Sequence, residues 1–309
     1  MDFIQRYKEE NSAYVQLLIL AGYALAGTIV CTILGLIVLI GMYGMQVLTN
    51  PGNLMGEDLR YLNGIKIVQI ITSIGLFLLP PLFLAWTERR KVGEFYDFRK
   101  PVLITLLLVF LIMLFSMPMM EYVAAWNQKM TFPGWMKPVE NWMRQKEDEA
   151  ARMTVLLLTV KSTSDFVVNL IMIAIIPAIA EELMFRGGIQ RSFMRMFSNH
   201  HVAIWITAFL FSAIHFQFFG FFPRLFLGAL FGYIYFWTKS LWYTIFAHFL
   251  NNGYAVCVAL YFQKNNIPLD STENTTNFHW YGYALSFIFT ALMIYYFKQM
   301  NPGNGKQLD

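Results

Sequence analysis

The sequence predicts an all-α fold, a polytopic membrane helical bundle of about eight transmembrane helices. Of the 309 residues, 57% are hydrophobic, 17% are aromatic and only 14% are charged, against roughly 25% charged residues in a soluble domain. The mean hydropathy is positive. Apolar stretches recur at about 16–42, 64–87, 102–120, 166–186, 202–219, 223–238, 241–262 and 281–297, most of them near the length a bilayer requires. The net charge of +4 calls for no nucleic-acid partner and fits basic loops facing anionic lipid.

Each element can be justified in order. The opening "MDFIQRYKEENSAY" mixes acids and bases and lacks the basic start and small-residue cleavage site of a signal peptide. The first apolar run therefore reads as a retained membrane helix. Between the second and third runs, "TERRKVGEFYDFRKP" carries Arg89, Arg90, Lys91, Arg99 and Lys100. It is the most basic short loop and is placed in the cytoplasm. With an even helix count, Arg6 and Lys8, the segment with Arg191 and Arg195, the turn at Lys239 and the C-terminal tail fall on that side too. Both termini are thus expected to be cytoplasmic.

The segment at about 121–164 differs, because Trp126, Trp135 and Trp142 stand among mixed charges. That pattern suggests an amphipathic stretch lying at the membrane interface. It reads either as a plain connecting helix or as a gate or substrate platform. The sequence then divides into N-terminal membrane helices with this segment (1–164), a core (165–262), and a last membrane helix with its tail (263–309). "GALFG", with Gly228 and Gly232, is a helix-packing signal. Cys31 and Cys257 have neither metal nor redox spacing. Asn274 heads a glycosylation sequon that carries no weight alone.

Polar outliers in the later spans are few: Glu181, Glu182, Arg186, His215, His248, Asn251 and Asn252. Intramembrane ionisable groups are costly and mark a functional site by default. Glu182 and Arg186 are one helical turn apart and can pair, while Glu181 is rotated by roughly 100° and points elsewhere. His248 and Asn252 share a face, and Phe211 lies one turn from His215. Counting rises of ~1.5 Å per residue from the expected turns brings Glu181–Glu182, His215 and His248–Asn252 to similar depth on separate helices. A desolvated Glu181 is a candidate general base for water, and His248 and Asn252 are candidate donors to an oxyanion. Alternatively, Glu181, His215 and His248 make a His₂Glu set of the kind that holds catalytic zinc. A buried network that only fixes helix packing is the bland alternative, and a proton-coupled transporter is a third reading, disfavoured by the absence of repeat symmetry. His200, His201 and His279 fall in expected loops and receive no role.

At these residues the chain resembles the CPBP intramembrane endopeptidases, relatives of the type II CAAX prenyl proteases and of Abi and lysostaphin-resistance-like proteins. "EELMFRG" is similar to the family's EExxxR motif, "FSAIH" to its FxxxH motif, and "HFLNN" to its third motif, a histidine followed four residues later by asparagine. The likeness covers roughly 165–262. It implies an eight-helix bundle with a membrane cavity and a glutamate-activated water that attacks a peptide bond. Residue by residue, it implies Glu181 as base, His215 as its partner on the water, and His248 with Asn252 on the oxyanion. Glu182, Arg186 and Phe211 are then supporting residues. No cofactor is expected, with Zn²⁺ as the alternative. The expected partners are a membrane protein or peptide substrate and the lipid bilayer, in a bacterial cytoplasmic (inner) membrane. A non-catalytic bacteriocin-immunity or scaffold role is the rival reading.

Overall fold

Length and apolarity decide which helices can cross a bilayer, since a core about 30 Å thick needs about 20 residues at 1.5 Å each. The computed structural model describes residues 10–50, 59–269 and 278–301. Seven helices among these meet the criterion: α1 (Ala13–Tyr43), α2 (Leu59–Thr87), α3 (Leu103–Gln128), α5 (Thr163–Met196), α7 (Phe218–Thr238), α8 (Leu241–Lys264) and α9 (Trp280–Met300). Two further helices of more than one turn are the charged α4 (Lys137–Leu158) and the short apolar α6 (His200–Ala213), and single turns form at Gln46–Thr49 and Val92–Phe95. The described residues contain no strand. The chain is a multi-pass helical membrane bundle. Arg6, Lys8, the C-terminal tail and the Asn274 sequon lie outside the described residues.

The count of about eight becomes seven long helices plus α6 for a local reason. The apolar stretch at 202–219 is not one helix. It stops at Ala213, Phe216 takes a left-handed φ of 52°, and a 3₁₀ turn follows at Phe218–Gly220. His215 therefore sits just beyond a helix end, in a turn. In the other direction, α3 continues through Trp126 to Gln128, so the polar segment expected from about 121 begins inside a membrane helix. Its continuation is α4, where Trp135 and Trp142 are exposed.

Two prolines inside membrane helices are repaired by neighbours. Pro118 interrupts α3. Ser286 of α9 accepts from Met119 N at 3.1 Å and donates to Phe115 O at 2.6 Å, stapling α9 to α3. In α5, Pro177 has no N–H for Ile173, four residues earlier. The Asn252 side chain of α8 donates to that carbonyl at 3.0 Å. Helix α5 also contains two π-helical segments, Leu170–Ile175 and Leu183–Gln190. Such segments mark irregular, often functional stretches, and these two bracket the paired glutamates.

Packing around α5 explains its glycines. A Cβ at Gly187 would stand 2.7 Å from the Tyr96 ring, and one at Gly188 would stand 2.8 Å from Leu20. Both glycines let the helical turn Val92–Phe95, with Tyr96 at its end, and α1 close onto the helix. On the opposite side, Arg186 donates to Gly228 O and Gln190 to Gly232 O, each at 2.9 Å. The GxxxG pair of α7 thus offers two carbonyls one turn apart to two side chains of α5. Helices α6 and α7 form a tight hairpin, and α8 packs between α5, α3 and α7.

Candidate active site

Glu182 and Arg186 are fully buried. Arg186 Nη1 lies 2.7 Å from Glu182 Oε1, and His248 Nδ1 reaches the same oxygen at 2.9 Å. The guanidinium sits 4.7 Å from the Phe211 ring centre and 5.3 Å from that of Phe231. The His248 ring stacks on Phe231 at 5.5 Å and meets Phe211 edge-on at 5.9 Å. The same two rings, Phe211 and Phe231, therefore contact both partners of the Glu182 carboxylate. Cation–π contact adds to the ion pair in such a water-poor setting.

Glu181 is excluded from that cluster by helical geometry. It turns instead into a cavity of about 100 Å³, whose lining includes His215, His248 and Asn252 with Phe211 and Phe231. The Glu181 carboxylate approaches His248 Nε2 at 3.9 Å. That gap exceeds a hydrogen bond and suits a reactant held between the two groups.

Hydrogen bonds select the nitrogen that each histidine offers to the cavity. A carbonyl or a carboxylate only accepts. His215 Nδ1 lies 2.8 Å from Phe211 O, so Nδ1 carries a proton and neutral His215 presents Nε2 as an acceptor. His248 Nδ1 faces the Arg186-paired Glu182, so Nδ1 is again the donor. His248 can donate from Nε2 only as an imidazolium, and the nearby carboxylate not already paired with Arg186 is Glu181, 3.9 Å from Nε2. Asn252 spends one N–H on Ile173 O, and its Oδ1 accepts from Asn251 at 3.1 Å. One amide N–H remains for the cavity.

The structure thus brings Glu181, His215, His248, Asn252 and Phe211 to one cavity and sets Glu182 and Arg186 behind its wall. His200 and His201 lie apart, stacked on Phe236 at 4.1 Å and bonded to Tyr233 at 2.7 Å. Glu181, His215 and His248 share the cavity, and among the described residues no three His, Cys, Asp or Glu side chains stand within metal-holding distance of one another. Sequence reasoning missed Arg224, Leu227 and Phe231 of α7, which also line the cavity. Arg224 is the only charge in "FFPRLFLGALFGYIYFWT", a signal as plain as the glutamates.

Comparison with known proteins places this cavity in a recognised segment. Residues 163–254 match the family model of type II CAAX prenyl endopeptidase Rce1-like proteins. The uncharacterized protein YpbD of Bacillus subtilis (strain 168) is 28% identical over 93 residues, which are 29% of this chain and 44% of that protein. The match thus spans less than half the length of that relative. No solved structure matches. The matched segment runs from α5 into α8 and contains every cavity-lining residue. It bears out the likeness to the CPBP and CAAX-protease family there.

Proposed function

We propose that the protein is an intramembrane endopeptidase that hydrolyses a peptide bond of a membrane-associated protein or peptide with a water activated by Glu181. The separation of two adjacent glutamates carries this reading. Glu182 is sealed against Arg186 and His248, whereas Glu181 lines the cavity, 3.9 Å from His248 Nε2. Water would lie between Glu181 and the acceptor Nε2 of His215. As its oxygen attacks the carbonyl carbon, one proton passes to the Glu181 carboxylate. The carbonyl oxygen takes the displaced electron pair. It is met by Nε2–H of a doubly protonated His248 and by the remaining N–H of Asn252. The C–N bond then breaks as Glu181 returns its proton to the leaving nitrogen. No step runs through a metal. The cellular setting we infer is a bacterial cytoplasmic membrane with both termini inside.

A comparison of protein termini in host membranes tests this reading. One strain carries the wild type and the other Glu181→Gln. New termini confined to the wild-type strain are expected, and they would also name the substrate. Identical profiles, with the variant still supporting whatever the gene is needed for, would overturn the proposal in favour of a non-catalytic scaffold or immunity protein.

A further inference from the structure

Arg224 is a cavity-lining cation that the mechanism does not use. It stands at the start of α7, with Leu227 and Phe231 on the same face toward Glu181. Its guanidinium is set in place by the turn that also bears His215. Nη1 donates to Gln217 O at 3.3 Å and Nη2 to the Gln217 side-chain oxygen. The group lies against Gly220, where a Cβ would stand 2.9 Å from both Nη atoms. A side chain at that position would displace the guanidinium.

That turn is itself clamped from outside the matched segment. Asn127 of α3 donates to Phe218 O at 3.2 Å and accepts from Phe222 N at 2.9 Å. From α4, Trp142 packs on Phe218 at 5.5 Å, Arg144 lies 4.2 Å over the Phe219 ring, and Glu147 accepts from Phe219 N at 3.1 Å. Glu147 and Glu181 are the carboxylates whose charge reaches Arg224. Among the described residues neither closes to an ion pair with it, as Glu147 is spent on the backbone. A guanidinium has five N–H donors, so Arg224 keeps spare donors beside an apolar strip that ends at Glu181. Those spare donors sit on a half-buried side chain that faces the cavity, where a ligand can take them up.

We propose that Arg224 is a specificity-determining residue that receives a carboxylate of the substrate, placing an acidic group near the scissile bond. A planar carboxylate suits a single guanidinium with parallel N–H donors. A phosphate dianion is a poorer match, because Arg224 is the only Lys or Arg in the lining. The carboxylate is either the chain terminus of the substrate or an aspartate or glutamate side chain. In this account α4 and Asn127 keep the anion subsite in register with the base. The inference rests on the peptidase reading, and its test is a binding measurement that needs no turnover.

Full-length Glu181→Gln protein in nanodiscs would be titrated with fluorescein-labelled hydrophobic peptides of three kinds. One ends in a free acid, one in an amide, and one in an amide with a glutamate near the end. Either acidic peptide is expected to bind about tenfold or more tightly than the plain amide. Whichever of the two does so identifies the carboxylate as terminal or side-chain. Adding Arg224→Gln should bring the ratio close to one, and Arg224→Lys should restore part of it, which a purely structural role would not do. The Lys variant also keeps the test open if the Gln variant fails to fold. A ratio unchanged by Arg224→Gln, or no preference for either acid, overturns the inference while leaving the peptidase reading to the terminus comparison.

Discussion

Glu140 and Arg144 on α4, and Glu182 and Arg186 on α5, are both glutamate–arginine pairs one helical turn apart. In the first, Arg144 Nε lies 3.1 Å from Glu140, and the arginine side chain is 41% exposed. Lys137 and the Phe132 N–H also serve that carboxylate, each at 3.1 Å. In the second, both side chains are 0% exposed and the contact is 2.7 Å. The only other hydrogen-bond partner of the Glu182 carboxylate among the described residues is His248. Sequence spacing predicts the two pairs equally well. Their consequences differ because Glu140, though only 1% exposed, keeps Lys137 and the Phe132 N–H when Arg144 is lost, whereas Glu182 keeps only His248. The comparison also explains why the adjacent carboxylate matters. Arg186 leaves Glu181 without a local counter-ion at contact distance, so Glu181 remains available to the cavity.

The sharpest way to break this comparison is to remove each arginine. Arg186→Ala strands a buried Glu182 and should cost about 3–5 kcal/mol. Melting in detergent reads the loss, and an unchanged transition would contradict a sealed pair. Asn252→Ala comes next, because it removes the donor to Ile173 O beneath Pro177 and leaves a half-buried acceptor unmet, at about 1 kcal/mol. The same melt checks it, and an effect as large as that of Arg186→Ala would blur the distinction between ion pair and backbone repair. Arg144→Ala should lower the melt by only a fraction of the Arg186→Ala shift. It should instead increase protease access to the turn at Phe218–Gly220, on which Arg144 packs.

The smallest effect concerns pH. The Phe132 N–H, then hydrogen bonds from Lys137 and Arg144, hold the Glu140 carboxyl below the ordinary glutamate range. A depressed folded value means that the carboxylate's contribution is complete above the unfolded value of about 4.3. It is lost only as pH falls through the lower, folded value. Trp135 and Trp142 fluorescence should therefore stay constant through neutral pH and change only in acid. A transition between pH 6 and 8 would assign the anchoring of α4 to another group.

The fold was legible because apolar length is a strong signal, and the four-residue spacing of Glu182 and Arg186 implies their contact. The convergence of Glu181, His215, His248 and Asn252 was legible from depth counting, although His215 reached that level from a turn and not from a helix. Hydrophobicity alone could not show where α6 would stop, since Ile214, Phe216, Phe218 and Phe219 read like more of the same span. The Pro177–Asn252 repair was hidden because it joins residues on different helices. Arg224 was visible as a lone charge but matched no motif, so only its place in the cavity wall gave it meaning.

The central claim is that Glu181 supplies chemistry and not stability. Its most direct measurement is cleavage per folded molecule for Glu181→Gln, using a substrate identified by the terminus comparison and the folded fraction from melting. The account predicts a wild-type folded fraction with cleavage down by at least the order of 10²–10⁴ contributed by a general base. Cleavage at the wild-type level, or a loss that merely follows unfolding, would contradict it.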